Sequence, residues 1–199
     1  MMNKDPIAMW TVFAVIFCWF AFAAIFMFRK RPPKAQVSKR ERVSSVGIML
    51  QAMAYFLVWT WPLHRRFFTP ISVMPRWAEL ALSVLTVAIA AGSVWMVSQA
   101  VATLGRQWGV TARLVRDHKL ITSGPYRWVR NPIYTGMFGM LLATGLAVSR
   151  WSVLALASAL FVVGAYIRIR SEERLLREAF RTDFDEYASR VPAFLPGIY

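Results

Sequence analysis

Two adjacent carboxylates, Glu172 and Glu173, interrupt the apolar side of a segment whose spacing predicts a helix. On that helix Arg170, Arg174, Arg177 and Arg181 follow an i, i+4, i+7, i+11 spacing and make one basic stripe. Ile169, Leu176, Ala179 and Phe180 lie on the other side, with Leu175 alongside, and both glutamates fall among them. A carboxylate turned into the interior of a membrane protein is costly unless it meets a cation or hydrogen-bond donors. Two outcomes fit. Either Arg168 pairs with Glu172 and Glu173 with Arg177, each pair contributing a few tenths of a kcal/mol, or one glutamate receives a cationic group of a ligand. The arginine stripe reads as a surface facing phospholipid.

A second constellation runs from Asp117 through His118, Lys119 and Leu120 to Gly136. Gly124-Pro125-Tyr126 reads as a turn, and Asn131-Pro132 stops one element before a helix begins near Ile133. Proline in a first helical turn is ordinary punctuation, so Tyr134 and Gly136 belong to the opening turns of that helix. Gly136, Gly139, Ala143 and Ala147 lie close to one face; they serve either tight helix packing or room for a flat ligand. His118 is an acid–base candidate, although a lone loop histidine is more often a hydrogen-bonded structural residue. The sequence has no metal-spaced Cys/His cluster, nucleophile elbow, Walker loop or Gly-x-Gly-x-x-Gly, which argues against zinc hydrolases, nucleotide hydrolases and Rossmann enzymes. No metal is expected. Cys18 is the sole cysteine, lies inside an apolar block and forms no internal disulfide.

The elements that must position these residues are membrane helices. The 199 residues are 57% hydrophobic and only 17% charged, against roughly 45–50% and 25% in soluble domains. The apolar residues come in blocks: Ile7 to Phe28, Val46 to Leu63, Ala78 to Val101, Ile133 to Ser149 and Trp151 to Ile167. Each approaches the roughly 20 residues that cross a bilayer core. The first lacks a charge and is followed by Arg29-Lys30-Arg31-Pro32-Pro33 rather than a small-residue cleavage site, so it reads as a retained anchor. Only Ser149-Arg150 separates the last two, which predicts a helical hairpin over 133–149 and 151–167. We therefore expect an all-α integral membrane protein with about five transmembrane helices and a single domain over 1–199. Residues 1–101 hold three crossings, and residues 102–199 hold two more with the candidate chemistry.

The net charge of +14 lies beside the apolar blocks, with no basic face apart from the membrane flanks, which argues against nucleic acid as a partner. Lys and Arg number seven in 29–42, six in 106–130 and six in 168–190; the alternate flanks hold five in all. The positive-inside rule then puts the amino terminus outside and the carboxyl terminus in the cytoplasm, with the candidate residues on the cytoplasmic side. A prokaryotic inner membrane is the expected location. The sequence leaves the oligomeric state open.

The run Leu120-Ile121-Thr122-Ser123-Gly124-Pro125-Tyr126, then Arg130-Asn131-Pro132-Ile133-Tyr134-Thr135-Gly136, then Glu172-Glu173, Phe184, Tyr187 and Pro192-Ala193-Phe194-Leu195-Pro196 resembles the isoprenylcysteine carboxyl methyltransferases and their phospholipid methyltransferase relatives. The resemblance covers roughly residues 104–196, with Leu104-Gly105-Arg106-Gln107-Trp108 as lead-in. It implies S-adenosylmethionine in a cytoplasmic cofactor-binding region capped by the tail, and a lipophilic or lipid-linked methyl acceptor arriving from the membrane. It suggests His118, Lys119 and Leu120 at the adenosine part, Tyr126, Asn131, Pro132 and Tyr134 lining the pocket, and Glu172 or Glu173 at the cofactor's ammonium group. Arg168 becomes a candidate for orienting an anionic acceptor or the cofactor carboxylate. Arg168, Glu172 and Asn131 are thus the catalytic candidates. Asn131 departs from the family's usual histidine and cannot take up a proton, so it is no general base. A carboxylate acceptor, ionised near pH 7, needs none.

Two other readings compete. A membrane reductase of the sterol-reductase type has a related carboxyl-terminal region but takes a reduced nicotinamide dinucleotide, whose phosphates call for a larger basic pocket. A non-enzymatic scaffold or transporter subunit fits less well, because the polar residues gather at one end of the bundle and not at the bilayer midplane.

Overall fold

The computed structural model describes residues 6–28, 44–60, 75–105 and 120–195, and over these the protein is all-helical. The helices are α1 (Pro6–Met27), α2 (Ser44–Thr60), α3 (Arg76–Leu104), α4 (Pro132–Val148), α5 (Trp151–Phe180) and α6 (Thr182–Arg190), with a 3₁₀ turn at Gly124–Arg127 before α4. α1, α3 and α5, of 22, 29 and 30 residues, are long and apolar enough to cross a membrane. α2 and α4 are apolar but have 17 residues each, about 25 Å at 1.5 Å per residue. Pro132 opens α4 and Ser149 closes it, which sets its length.

The expected hairpin is present: α4 and α5 are joined through Ser149 and Arg150 alone. Its second arm runs directly into the tail helix that the residue spacing predicts. The apolar block ends near Ile167, but α5 continues without a break to Phe180, because the charged residues beyond keep an amphipathic helical pattern. The helix stops at Arg181, whose φ of +45° lies where glycine is favoured, and its N–H still bonds the Arg177 carbonyl at 2.9 Å.

α4 is the central element. One side joins Val12, Val15 and Phe22 of α1 and Ala90, Val97 and Val101 of α3 through Met140, Ala143 and Ala147. The other side joins Ala54 and Val58 of α2 and Ala157, Phe161, Ala165 and Ile169 of α5 through Tyr134 and Leu141. The small-residue stripe belongs to the first side. A β-carbon on Gly136 would stand 2.5 Å from a Val97 methyl and 3.0 Å from the Ser93 carbonyl oxygen, and one on Gly139 would strike Ser93. That stripe lets α3 approach closely and leaves no room there for a flat ligand.

The outer surface is the reverse of a soluble protein's. Phe17, Phe20 and Phe56 are 73%, 72% and 64% exposed, a density of bare aromatic surface that lipid wets and water does not. Between helices, Trp19 donates to Thr144 at 2.9 Å and the Tyr55 hydroxyl to the Met137 carbonyl at 2.7 Å, tying α1 and α2 to α4. α2 and α5 also cross closely. A β-carbon on Gly164 would lie 2.8 Å from the Gly47 carbonyl oxygen, and one on Gly47 would lie 2.6 Å from that of Gly164. Backbone meets backbone, and neither side can yield. Gly164→Val should therefore destabilise the protein by about 1–3 kcal/mol, seen in detergent as a drop of several degrees in Tm, whereas Gly92→Ala, which meets nothing inside α3, should leave Tm unchanged or slightly raised.

Candidate active site

The site is built where α4 begins, α5 leaves the bundle and the carboxyl-terminal segment folds back. Gly124, at φ +61°, starts the turn before α4, and a β-carbon there would sit 2.8 Å from the Thr103 hydroxyl at the end of α3. Glycine thus serves both the conformation and the close approach. The turn closes through Tyr126 N–H to the Ser123 carbonyl at 3.2 Å and Trp128 N–H to the Pro125 carbonyl at 3.1 Å, burying Pro125 and Tyr126. Burial first, and the negative charge of Glu172 next, hold the Tyr126 phenol well above its ordinary pKa, so it is a neutral group. Burial also raises Tyr187, against the pull of Arg130; its hydroxyl donates to the Tyr126 carbonyl at 2.6 Å.

The two glutamates, about 100° apart around α5, serve different clusters. The Tyr134 hydroxyl donates to Glu172 Oε1 in a short contact. The Arg168 guanidinium lies over the Tyr134 ring at 4.8 Å, places Nη2 at 3.9 Å from Glu172 Oε1, and donates from Nη1 to Gln51 Oε1 at 3.0 Å. Gln51 is buried on α2, and its side-chain amide nitrogen finds no hydrogen-bond partner among the described residues. Three helices therefore meet in one polar cluster, and its carboxylate from α5, Glu172, keeps 27% of its side chain exposed.

Glu173 is more deeply buried and is bound to Arg130, whose Nε donates to Oε1 at 2.8 Å with side-chain exposures of 12% and 7%. The expected local pair to Arg177 is not formed; Arg177 instead pairs with Asp185 of α6 at 2.7 Å. The physical reason is burial: Arg177 is exposed, while Arg130 reaches Glu173 inside and is held there by further acceptors. Arg130 Nη1 donates to the Ala188 carbonyl at 2.8 Å and to that of Val191, and its backbone N–H to that of Pro192 at 2.8 Å. Asn131 donates from Nδ2 to the Ala193 carbonyl at 2.8 Å, and Thr135 from its hydroxyl to that of Phe194. The Phe194 ring lies 5.7 Å from Phe138. Residues 188–194 thus form a strap laid across the start of α4.

Of the residues singled out from sequence, Arg168, Glu172 and Tyr134 share one cluster, and Asn131 and Glu173 hold the strap. Pro132 is buried as the first residue of α4 and Leu120 is half-buried at the start of its segment. His118 and Lys119 lie outside the described residues, as do the basic stretch 29–42 and all of 106–119. Sequence reasoning missed Arg130, Gln51, Thr135 and Tyr187 as parts of the site. Gln51 carried a signal, being a polar side chain within an apolar block. Among the described residues no group of three or more His, Cys, Asp or Glu side chains is arranged to hold a metal.

A family model for phospholipid methyltransferases matches residues 80–183, from within α3 to the first turn of α6. The chain belongs to the phospholipid methyltransferase family. The matched stretch contains both glutamates with their partners Tyr134, Arg168 and Arg130, and it ends before the strap. Among individual relatives, the chain is similar to the cobalt-zinc-cadmium resistance protein CzcN of Cupriavidus metallidurans, 40% identical over 109 residues, 51% of this chain and 47% of that protein. It is also similar to a probable protein-S-isoprenylcysteine O-methyltransferase of Oryza sativa subsp. indica, 36% identical over 103 residues, 50% of this chain and 53% of that protein. The corresponding Saccharomyces cerevisiae enzyme is 36% identical over 84 residues, 41% of this chain and 34% of that protein. The chain spans about half the length of the first two relatives and about a third of the yeast one.

In this member of the family, removing one partner of the Arg130–Glu173 pair strands a buried charge, which costs about 3–5 kcal/mol. Arg130→Gln should lower Tm and expose residues 188–195 to limited proteolysis. The Arg130→Gln/Glu173→Gln double variant should be less destabilised than the sum of the single variants; strict additivity would show that the pair is not coupled.

Proposed function

We propose that this chain is a membrane methyltransferase that transfers a methyl group from S-adenosylmethionine to a lipophilic, lipid-linked acceptor, with an isoprenylcysteine-type carboxylate as the acceptor class that suits the site best. The reading is carried by the Tyr134–Glu172–Arg168 cluster, lying within the stretch that matches the family. In it a partly exposed carboxylate and an arginine stand side by side at the end of a membrane-crossing helix.

The donor set fits the cofactor. Glu172 keeps part of its side chain exposed and, although burial raises its pKa, Arg168 and the Tyr134 hydroxyl favour its charged form, which suits an ammonium group, whereas Glu173 is matched by Arg130 and serves the strap. The cofactor supplies an electrophilic methyl group on a sulfonium. The protein's own part is alignment and exclusion of water. Tyr134 and Arg168 hold the Glu172 carboxylate in one orientation. The Arg168 guanidinium, stacked on Tyr134 and tethered to Gln51, orients an anionic acceptor by charge. Asn131 acts through structure rather than proton transfer, since its amide is engaged with the Ala193 carbonyl. Leu120, Tyr126, Pro132 and Tyr134 belong to the cofactor's surroundings together with His118 and Lys119. No base is required, because a carboxylate acceptor is ionised near pH 7.

We further propose one domain over 1–199, with three crossings in 1–101 and the catalytic region with two crossings in 102–199. The short helices α2 and α4 then cross beside α1, α3 and α5, the carboxyl terminus and cofactor region face the cytoplasm, and the location is a prokaryotic inner membrane. A reporter fused at the carboxyl terminus should be active only in its cytoplasmic form; activity on the other side would overturn this orientation.

Titration calorimetry of the purified full chain with S-adenosylhomocysteine should give saturable heat, and Glu172→Gln should weaken binding on the order of tenfold or more, as for loss of a charged hydrogen bond. Binding of a nicotinamide dinucleotide phosphate in its place would favour a reductase. Silence with both would overturn the enzyme reading.

A further inference from the structure

One face of α5 is exposed along its whole length. Leu156, Ala159, Val163 and Tyr166 occupy it in the apolar half, and the same steps of three and four residues lead on to Arg170, Arg174 and Arg177, all exposed. The lipid-facing stripe and the basic stripe are therefore one surface. Counting about 1.5 Å per residue from Trp151, a hydrocarbon core of about 30 Å ends near Arg170. Arg174 and Arg177 then lie about 6 and 10 Å further out, at the depth of headgroups.

The side chains at that boundary make a receptacle. Arg170 donates from Nε to the Tyr166 hydroxyl at 3.1 Å and lies over its ring at 5.1 Å, which joins the last aromatic of the apolar stripe to the first arginine. Arg170, Arg174 and Arg177, with Glu173 and Glu178, line an open depression of ≈350 Å³. Glu173 faces inward and is matched by Arg130, and Arg177 also touches Asp185. Three guanidiniums thus outweigh the acidic side chains that face them, Glu178 and Asp185.

We propose that this depression binds the headgroup of an anionic phospholipid from the surrounding leaflet. The occupant follows from charge and from continuity: its acyl chains run along Val163 and Leu156 while its phosphate meets the arginines. The bound lipid fixes the depth of α5 in the bilayer, and with it the height of the Glu172 cluster above the hydrocarbon. The proposal rests on α5 crossing a membrane and is independent of methyl transfer.

The test uses the purified full chain in zwitterionic phosphatidylcholine micelles titrated with phosphatidylglycerol, read by native mass spectrometry and by thermal unfolding. Phosphatidylglycerol should be retained and should raise Tm, an effect that shrinks as salt is added. Arg170→Gln/Arg174→Gln should weaken retention about fivefold per arginine, on the order of 20-fold together. Arg76→Gln, at the start of α3, should change nothing. Equal retention of phosphatidylcholine, equal effects of the two sets of variants, or the same stabilisation by inorganic phosphate would overturn the proposal. If the double variant fails to fold, the salt and headgroup dependence of the unaltered chain decides: a salt-independent or headgroup-independent Tm overturns it.

Discussion

The ion pair between Arg130 and Glu173 is the interaction on which the rest of the site depends. It joins the turn before α4 to the emerging end of α5, and the same guanidinium gathers the carbonyls of Ala188 and Val191 from the returning tail. A buried carboxylate without such a partner would be strongly destabilising. With Glu173 satisfied, its neighbour Glu172 points about a quarter-turn away and meets Tyr134 and Arg168 instead. Adjacent acids of one type thus take separate duties, one holding chain segments together and the other keeping an accessible charge.

That arrangement stands on a helix with little freedom to move. α4 contributes to both apolar cores, through its small residues toward α3 and through Tyr134 and Leu141 toward α2 and α5. Tyr134 lies in its first turn, so the hydroxyl that orients Glu172 is carried on the most enclosed element of the bundle. α5 has the opposite character: half of it faces lipid, and it carries its acidic residues to the boundary where the bundle ends. Rigid support and an open approach therefore come from different helices.

Much of this was legible in the residues. The two-residue link at Ser149-Arg150, the Gly-Pro-Tyr turn, the Asn-Pro break and the oddly placed glutamates all announced themselves through local chemistry. The partner of Glu173 did not, because Arg130 lies 43 residues away and a long-range pair leaves no periodic trace; the local pair with Arg177, one of the two outcomes that the spacing allowed, is not made, and Arg177 stays exposed. The helical character of the charged residues beyond Ile167 was legible in their spacing, and α5 carries the apolar block into them without a break. The glycine-lined face of α4 admitted two readings, and only the position of α3 decides between them. The strap was visible as a proline-containing aromatic run, but its binding through backbone carbonyls, which every residue carries alike, has no side-chain signature.

The contact of Gly47 with Gly164 has a consequence for traffic. Where two helices meet backbone to backbone, no width remains for an acyl or prenyl chain to slide between them. The seam between α2 and α5 is therefore shut at the level of these glycines, next to Arg168 itself, whose aliphatic stem lies against Gly47. Under the proposed reading, a lipophilic acceptor reaching Arg168 from the bilayer would have to pass along a different seam of the bundle.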